Sequence, residues 1–277
     1  MKLSFSTLAC PEWDLARITA AAVAAGYAAV DFRGYRDASE LTDSPAFAGE
    51  ALRDTAMRIS DAGLEVSCLS SGARMSVSGP ADRAAQLDAM RRYADLCAPL
   101  RCKMVRIFGG DAANVPDPVG NAAETLVAAS AIARERGIVF AVETHDSWTS
   151  TAKLRSAFDA AGAPEGVALL WDVKHPWHEH GETPETSLRN LWPYVANTHW
   201  KDAKAGNGGG ARLRLPGEGD APLAEAFDAL ESAGYGGWYT FEWEKRWLPE
   251  IEEPEIAVPR FAAFMRGLAE KRAAGRS

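Results

Sequence analysis

Eight times along this chain, a short apolar or β-branched run gives way to a longer, often alanine-rich segment with helical periodicity. The strand-like runs fall at 3–6, 28–33, 64–70, 103–108, 138–143, 167–172, 195–200 and 238–243. The helical segments that follow them are expected at about 12–25, 45–62, 80–98, 118–136, 150–161, 184–192, 222–233 and 254–271. Gly26, Gly63, Gly137, Gly162 and Gly234 stand at the ends of helical runs, where a left-handed cap favours glycine. Strands alternating with helices pair in parallel, and eight such units predict an α/β fold, a (β/α)8 or TIM barrel. Such a barrel needs about 250 residues, and the chain has 277. No linker interrupts the alternation, so residues 1–277 are expected to form a single domain. The glycine-rich stretch 205–210 lies inside the seventh unit and reads as a mobile loop.

In a barrel the C-terminal ends of all strands meet at one mouth. Four consecutive strand-like runs end in, or carry near their end, a residue able to bind a metal: Glu143, Asp172, His199 and Glu242. The first three are each separated by about one strand–helix repeat. The last gap is longer because it contains the glycine-rich stretch. Converging on one rim, three carboxylates and one imidazole make a mostly oxygen site. It favours Mn2+ or Mg2+, with Co2+ as a third choice and Mn2+ as the leading expectation, over zinc held by thiolates. No cysteine joins the set, which argues against a closed structural zinc site. Cys10, Cys68, Cys97 and Cys102 lack a paired metal spacing and are expected as buried free thiols.

Composition narrows the partners. A net charge of −8 speaks against nucleic acid, which needs a basic face. It suits a small neutral substrate such as a sugar or polyol. No stretch approaches the roughly 20 apolar residues of a membrane span, and the first residues carry no long apolar run, so a cytoplasmic protein is the expectation. Gly208, Gly209 and Gly210 form too long and polar a loop to read as a phosphate cradle at a helix start.

The segments Glu143-Thr144-His145, Asp172-Val173-Lys174-His175, His199-Trp200-Lys201-Asp202, Pro216-Gly217-Glu218-Gly219 and Phe241-Glu242 together resemble the xylose isomerase-like barrels. That family includes sugar-phosphate isomerases, ketose 3-epimerases, inosose dehydratases and endonuclease IV. The resemblance spans nearly the whole chain and is strongest from Phe140 onward. It implies that Glu143, Asp172, His199 and Glu242 ligate one divalent metal, that Glu143 and Glu242 form the acid–base pair, and that His175 contacts substrate. Family epimerases carry an arginine shortly after the metal histidine. Ala205 and glycines stand there in this chain, and Arg212 or Arg214 is expected to replace it. Endonuclease IV requires histidines near the ends of strands three and four, and none occurs there.

Elementary chemistry supports proton transfer between two such carboxylates. A metal holding a carbonyl and its neighbouring hydroxyl stabilises a developing enediolate. One carboxylate then takes the proton on one face and the other returns it on the opposite face. The outcome is epimerisation, isomerisation if return is to the neighbouring carbon, or elimination if a β-substituent leaves. The expected function is a metal-dependent sugar isomerase or epimerase. The alternative is a dehydratase or lyase acting on an oxidised sugar, such as an inosose or a 3-keto-glycoside.

Around the mouth, Trp13 and Trp177 are the preferred aromatic platforms for a sugar, and Arg33, at the end of strand two, is the preferred grip on a polar group. His145 reads as a substrate or ligand-supporting group, and Asp202 as an orienting one. His178, Glu179 and His180 are expected in a solvent-facing loop after Pro176, and Glu244 in a solvated charge cluster. Barrels of this kind commonly pair, so a homo-oligomer is a further expectation.

Overall fold

The computed structural model describes residues 1–206 and 210–275. Eight parallel strands close into a barrel: β1 Lys2–Ser6, β2 Ala29–Phe32, β3 Glu65–Arg74, β4 Met104–Phe108, β5 Val139–Glu143, β6 Val167–Asp172, β7 Val195–Trp200 and β10 Trp238–Phe241. Their order around the barrel is β1, β10, β7, β6, β5, β4, β3, β2. The helices α1 Leu15–Ala25, α2 Gly49–Asp61, α3 Pro80–Cys97, α4 Pro118–Arg136, α5 Thr151–Ala160, α7 Pro184–Leu191, α8 Leu223–Ser232 and α9 Pro254–Ala274 account for the eight expected helical segments. The predicted (β/α)8 barrel is therefore the fold.

Small side chains let the helices sit close to the strands. On α4, Ala122, Ala129 and Ala133 are fully buried together with Leu126. Large aromatics fill the remaining core, among them Trp148, Trp171, Trp200 and Trp243. All four cysteines are buried and free, as expected. Among the described residues, no helix is long and apolar enough to cross a membrane.

Four local departures from the expected pattern stand out. The first helix begins at Leu15, because the Asp14 side chain accepts from the Arg17 amide and caps it there. Residues 41–43 and 45–47 form two short 3-10 turns, so the second helix begins at Gly49. A further helix, α6 Lys174–His180, follows β6 directly. Thus His178, Glu179 and His180 are helical, not part of a loop. Its first turn is stabilised by Asp172, whose Oδ1 accepts from the Lys174 and His175 amides at 2.9 and 3.0 Å. Finally, the segment after β7 is an antiparallel hairpin, β8 Asp202–Ala205 with β9 Ala211–Arg214. Asn207, Gly208 and Gly209, the centre of the stretch expected as a mobile loop unsuited to cradle phosphate, lie outside the described residues.

Candidate metal centre

The parallel register delivers four candidate ligands to one level. Asp172 on β6 lies beside His199 on β7, and Thr240 on β10 lies beside the same His199. Glu242 follows β10, its amide donating to the Trp200 carbonyl at 2.9 Å. Side chains alternate along a strand, so His199 points into the barrel while Thr198 and Trp200 point out. The outward pair is joined by a bond from Trp200 Nε1 to Thr198 Oγ1 at 2.7 Å. Glu143, Asp172, His199 and Glu242 each offer one ligand atom, and those atoms lie within 4.8 Å of one another. All four residues are buried.

His199 sits at the centre of the cluster. Its Nδ1 lies 2.8 Å from Glu143 Oε1 and 3.1 Å from Glu242 Oε1. Its Nε2 faces Asp31 Oδ2 at 3.3 Å. Burial pushes the imidazole down, but Glu242, Glu143 and Asp31 outweigh it and hold His199 well above the ordinary histidine range. Burial and Glu242 push the Glu143 carboxyl up. His199 and Arg106 reverse this and hold it below its usual value. Glu242 is likewise driven well below its usual range, against burial, by His199 and Lys201.

Two fixed cations complete the surroundings. Arg106 Nε is 3.3 Å from Glu143 Oε2, and its Nη1 donates to the Ser71 carbonyl at 2.7 Å. The guanidinium also stacks on Phe108, 3.7 Å from the ring centre. Lys201 Nζ contacts Asp172 Oδ2 at 2.8 Å, Glu244 Oε1 at 2.8 Å and Glu242 Oε2. Burial would lower the Lys201 ammonium, but these carboxylates keep it well above its ordinary value.

Charge balance tests whether the donor set suits a divalent ion. Among the described residues, four buried carboxylates, those of Asp31, Glu143, Asp172 and Glu242, face only two buried fixed cations, Arg106 and Lys201. Glu244 adds a fifth carboxylate, but it reaches solvent. Protonating His199 still leaves one buried negative charge in excess, whereas a dication with a neutral imidazole balances the set. Uncompensated buried charge is costly. Moreover, Glu143 Oε2 and Asp172 Oδ2 are buried without a hydrogen bond, although each has an ion-pair contact. The residues fit a hard divalent cation.

The other sequence-selected residues have varied positions. His175 is buried, and its Nδ1 donates to the Thr144 carbonyl at 2.9 Å. That assigns the proton to Nδ1 and leaves Nε2 as an acceptor. Burial, followed by Lys201 and His145, pushes His175 well below the ordinary histidine range. The His145 ring packs edge-on against His175, with centres 4.8 Å apart. Burial pushes His145 down, but its bond to Asp146 at 2.7 Å and the Glu143 charge raise it above its usual value. Arg33 pairs with Glu40 at 3.3 Å and bonds the Ser39 carbonyl.

Trp13 is buried in the core beneath the Arg17 guanidinium. Trp177 is half-buried on α6. Arg214 Nη1 donates to the Leu213 carbonyl, and the side chain lines a surface cleft with Lys204 and Arg212. Asp202 accepts from the amides of Gly217, Gly219, Ala203 and Ala221, so it ties the hairpin to the loop that follows.

Sequence reasoning missed Asp31 and underrated Arg106, Lys201 and Glu244. A signal existed for Asp31. Buried parallel strands read as continuous apolar runs, and a carboxylate between Val30 and Phe32 breaks that rule.

No curated protein matches the chain in sequence. Among solved structures, L-ribulose 3-epimerase superposes with a TM-score of 0.80 at 19% identity, covering 100% of this chain and 97% of that one. The probable 3-DHS dehydratase AsbF from Bacillus anthracis gives 0.77 at 17% identity, with coverages of 97% and 99%. The IOLI protein with a binding zinc atom gives 0.78 at 16% identity, with coverages of 98% and 99%. At such identities these likenesses speak for the fold. The model of the xylose isomerase-like TIM barrel family matches residues 19–266. Matched over most of its length and folded as the predicted barrel, this chain belongs to the xylose isomerase-like TIM barrel family.

Proposed function

We propose that this chain is a divalent-metal-dependent sugar isomerase or epimerase, with Glu143 and Glu242 as its acid–base pair. Glu143, Asp172, His199 and Glu242 would hold the ion, Mn2+ first, with Mg2+ and Co2+ as alternatives. When bound, that ion would supply Lewis-acid polarisation of a substrate carbonyl, making the neighbouring carbon acidic. The observation that carries the reading is the placement of two glutamate carboxyl groups against the same His199 nitrogen. They come from β5 and from the end of β10, separated in the barrel by β6 and β7. One carboxylate takes the carbon-bound proton on one face of the substrate, and the other, after taking a proton from solvent, returns it on the opposite face. Arg106 and Lys201 anchor the outer oxygens of Glu143 and Glu242, so neither glutamate has to reorganise.

The substrate is a small neutral sugar. His175 offers an acceptor nitrogen to a sugar hydroxyl, His145 a further polar group, and Arg33, Trp13, Trp177 and Arg214 are assigned to its binding more distantly. We read residues 1–277 as one domain of a cytoplasmic enzyme that pairs with itself. Elimination from an oxidised sugar is the second reading. It is favoured by Ala205 and Gly206, which stand where the family's epimerases carry an arginine.

Incubation with Mn2+ in D2O separates the two. Free ketoses should gain deuterium beside the carbonyl and yield an epimer or isomer, and Glu143→Gln and Glu242→Gln should each lower the rate at least 100-fold. Exclusive turnover of 3-keto-glycosides with loss of a substituent would select elimination. Undiminished activity after EDTA treatment and removal of metal would contradict both.

A further inference from the structure

Asp31 is a fully buried carboxylate in the middle of β2, on a strand that supplies none of the four candidate ligands. Among the described residues it makes no ion pair with a lysine or arginine. Its partners are two: Ser70 Oγ, which donates to Oδ1 at 2.8 Å, and His199 Nε2, 3.3 Å from Oδ2. Ser70 and His199 are also fully buried. A carboxylate so placed is expensive unless its remaining partner needs it.

The need is visible in the ring. A neutral imidazole carries one proton on one of two nitrogens. His199 Nδ1 faces Glu143 and Glu242, the side on which an ion would sit, while Nε2 faces Asp31. A proton on Nδ1 would leave the Nε2 lone pair against the Asp31 carboxylate. A proton on Nε2 gives Asp31 a donor and turns the Nδ1 lone pair toward the candidate ligands. We propose that Asp31 is a positioning residue: held by Ser70, it fixes His199 as the Nε2–H tautomer so that Nδ1 is the metal-binding nitrogen. Carboxylates that accept from the distal nitrogen of a ligating histidine orient the ring and raise its basicity. The inference rests on the metal reading above but assigns a residue and a nitrogen that the reading leaves open.

Two measurements test it. In long-range 1H–15N spectra of the protein loaded with diamagnetic Zn2+, His199 should show its proton on Nε2. Only five histidines compete for assignment. In calorimetric titration with Mn2+, Asp31→Ala should bind about 10- to 100-fold more weakly than wild type. Ser70→Ala keeps the Asp31 charge and removes only its hydrogen bond, and should weaken binding several-fold. If Asp31→Ala does not fold, Ser70→Ala carries the affinity test, and the tautomer measurement needs no variant. A proton on Nδ1, or wild-type affinity in folded Asp31→Ala or Ser70→Ala, would overturn the assignment while leaving the metal site intact. A wild-type protein that binds neither ion would overturn the metal reading and this assignment with it.

Discussion

Lys201 shows how tightly the centre is balanced. Its ammonium is buried among Asp172, Glu242 and Glu244, two of which are candidate metal ligands. Replacing it with methionine keeps the length of the stem but strands buried carboxylates. Breaking a buried ion pair from one side costs roughly 3–5 kcal/mol. Lys201→Met should therefore lower the unfolding free energy of the metal-free protein by about that amount, measured by urea denaturation, and added Mn2+ should restore part of it. Unchanged stability would mean that the ammonium is dispensable. The sequence carried the four candidate ligands because each marks the end of a strand. It did not carry their counter-charges. Arg106 lies within a strand, where only the three-dimensional closure brings it against Glu143. Glu244 reads in the sequence as one member of a surface charge run, whereas in the fold it contacts Lys201 at 2.8 Å.

Loops and strand ends leave little room around the mouth. A methyl group on Gly109 would lie 2.3 Å from Trp148 Cδ1, and Trp148 is completely buried. Gly109→Ala should cost about 1–3 kcal/mol, the usual range for overpacking, read from a denaturation curve. At Gly219 the added carbon would meet Asp202 Oδ1 at 2.1 Å and the Ala203 amide nitrogen at 2.7 Å. Because one obstacle is backbone, Gly219→Ala should loosen the link between the hairpin and the following loop. Faster amide exchange at Gly217 and Ala221 would report it, and unchanged exchange would contradict it.

Asp146 ties two neighbouring loops. It accepts from the Gly110 amide at 3.1 Å, pairs with His145, and sits in the left-handed region at φ 53°. Burial raises its carboxyl, but the His145 bond and the Gly110 amide win, so its folded value lies below the ordinary one. Its stabilisation is thus present above the unfolded value, about 3.9, and is lost as pH falls through the depressed folded value. Asp146→Asn should flatten the acid side of the stability–pH curve below about pH 4, and an unaltered acid limb would count against the pair. The hairpin itself was unreadable from sequence. Its strands, Asp202–Ala205 and Ala211–Arg214, have only four residues each, so their polar–apolar alternation is too brief to stand out as a strand signal. Helix α6 was missed for a different reason: it has only seven residues, too few for a helical period to show.

At the scale of the whole molecule, the barrel was legible because its signal repeats eight times. An error of a few residues in any one unit, such as the late start of α2 at Gly49, leaves the closure unchanged. Convergence of Glu143, Asp172, His199 and Glu242 follows from that closure, since 99 residues of chain separate the first from the last and only the shared mouth brings them within 4.8 Å. The choice among epimerisation, isomerisation and elimination does not follow, because the same carboxylate pair serves all three. The most direct test of the account is anomalous diffraction at the manganese edge from crystals grown with Mn2+. It should show one strong peak bonded to Glu143, Asp172, His199 and Glu242. A map with no peak among these residues, or with the ion bound elsewhere, would contradict the account.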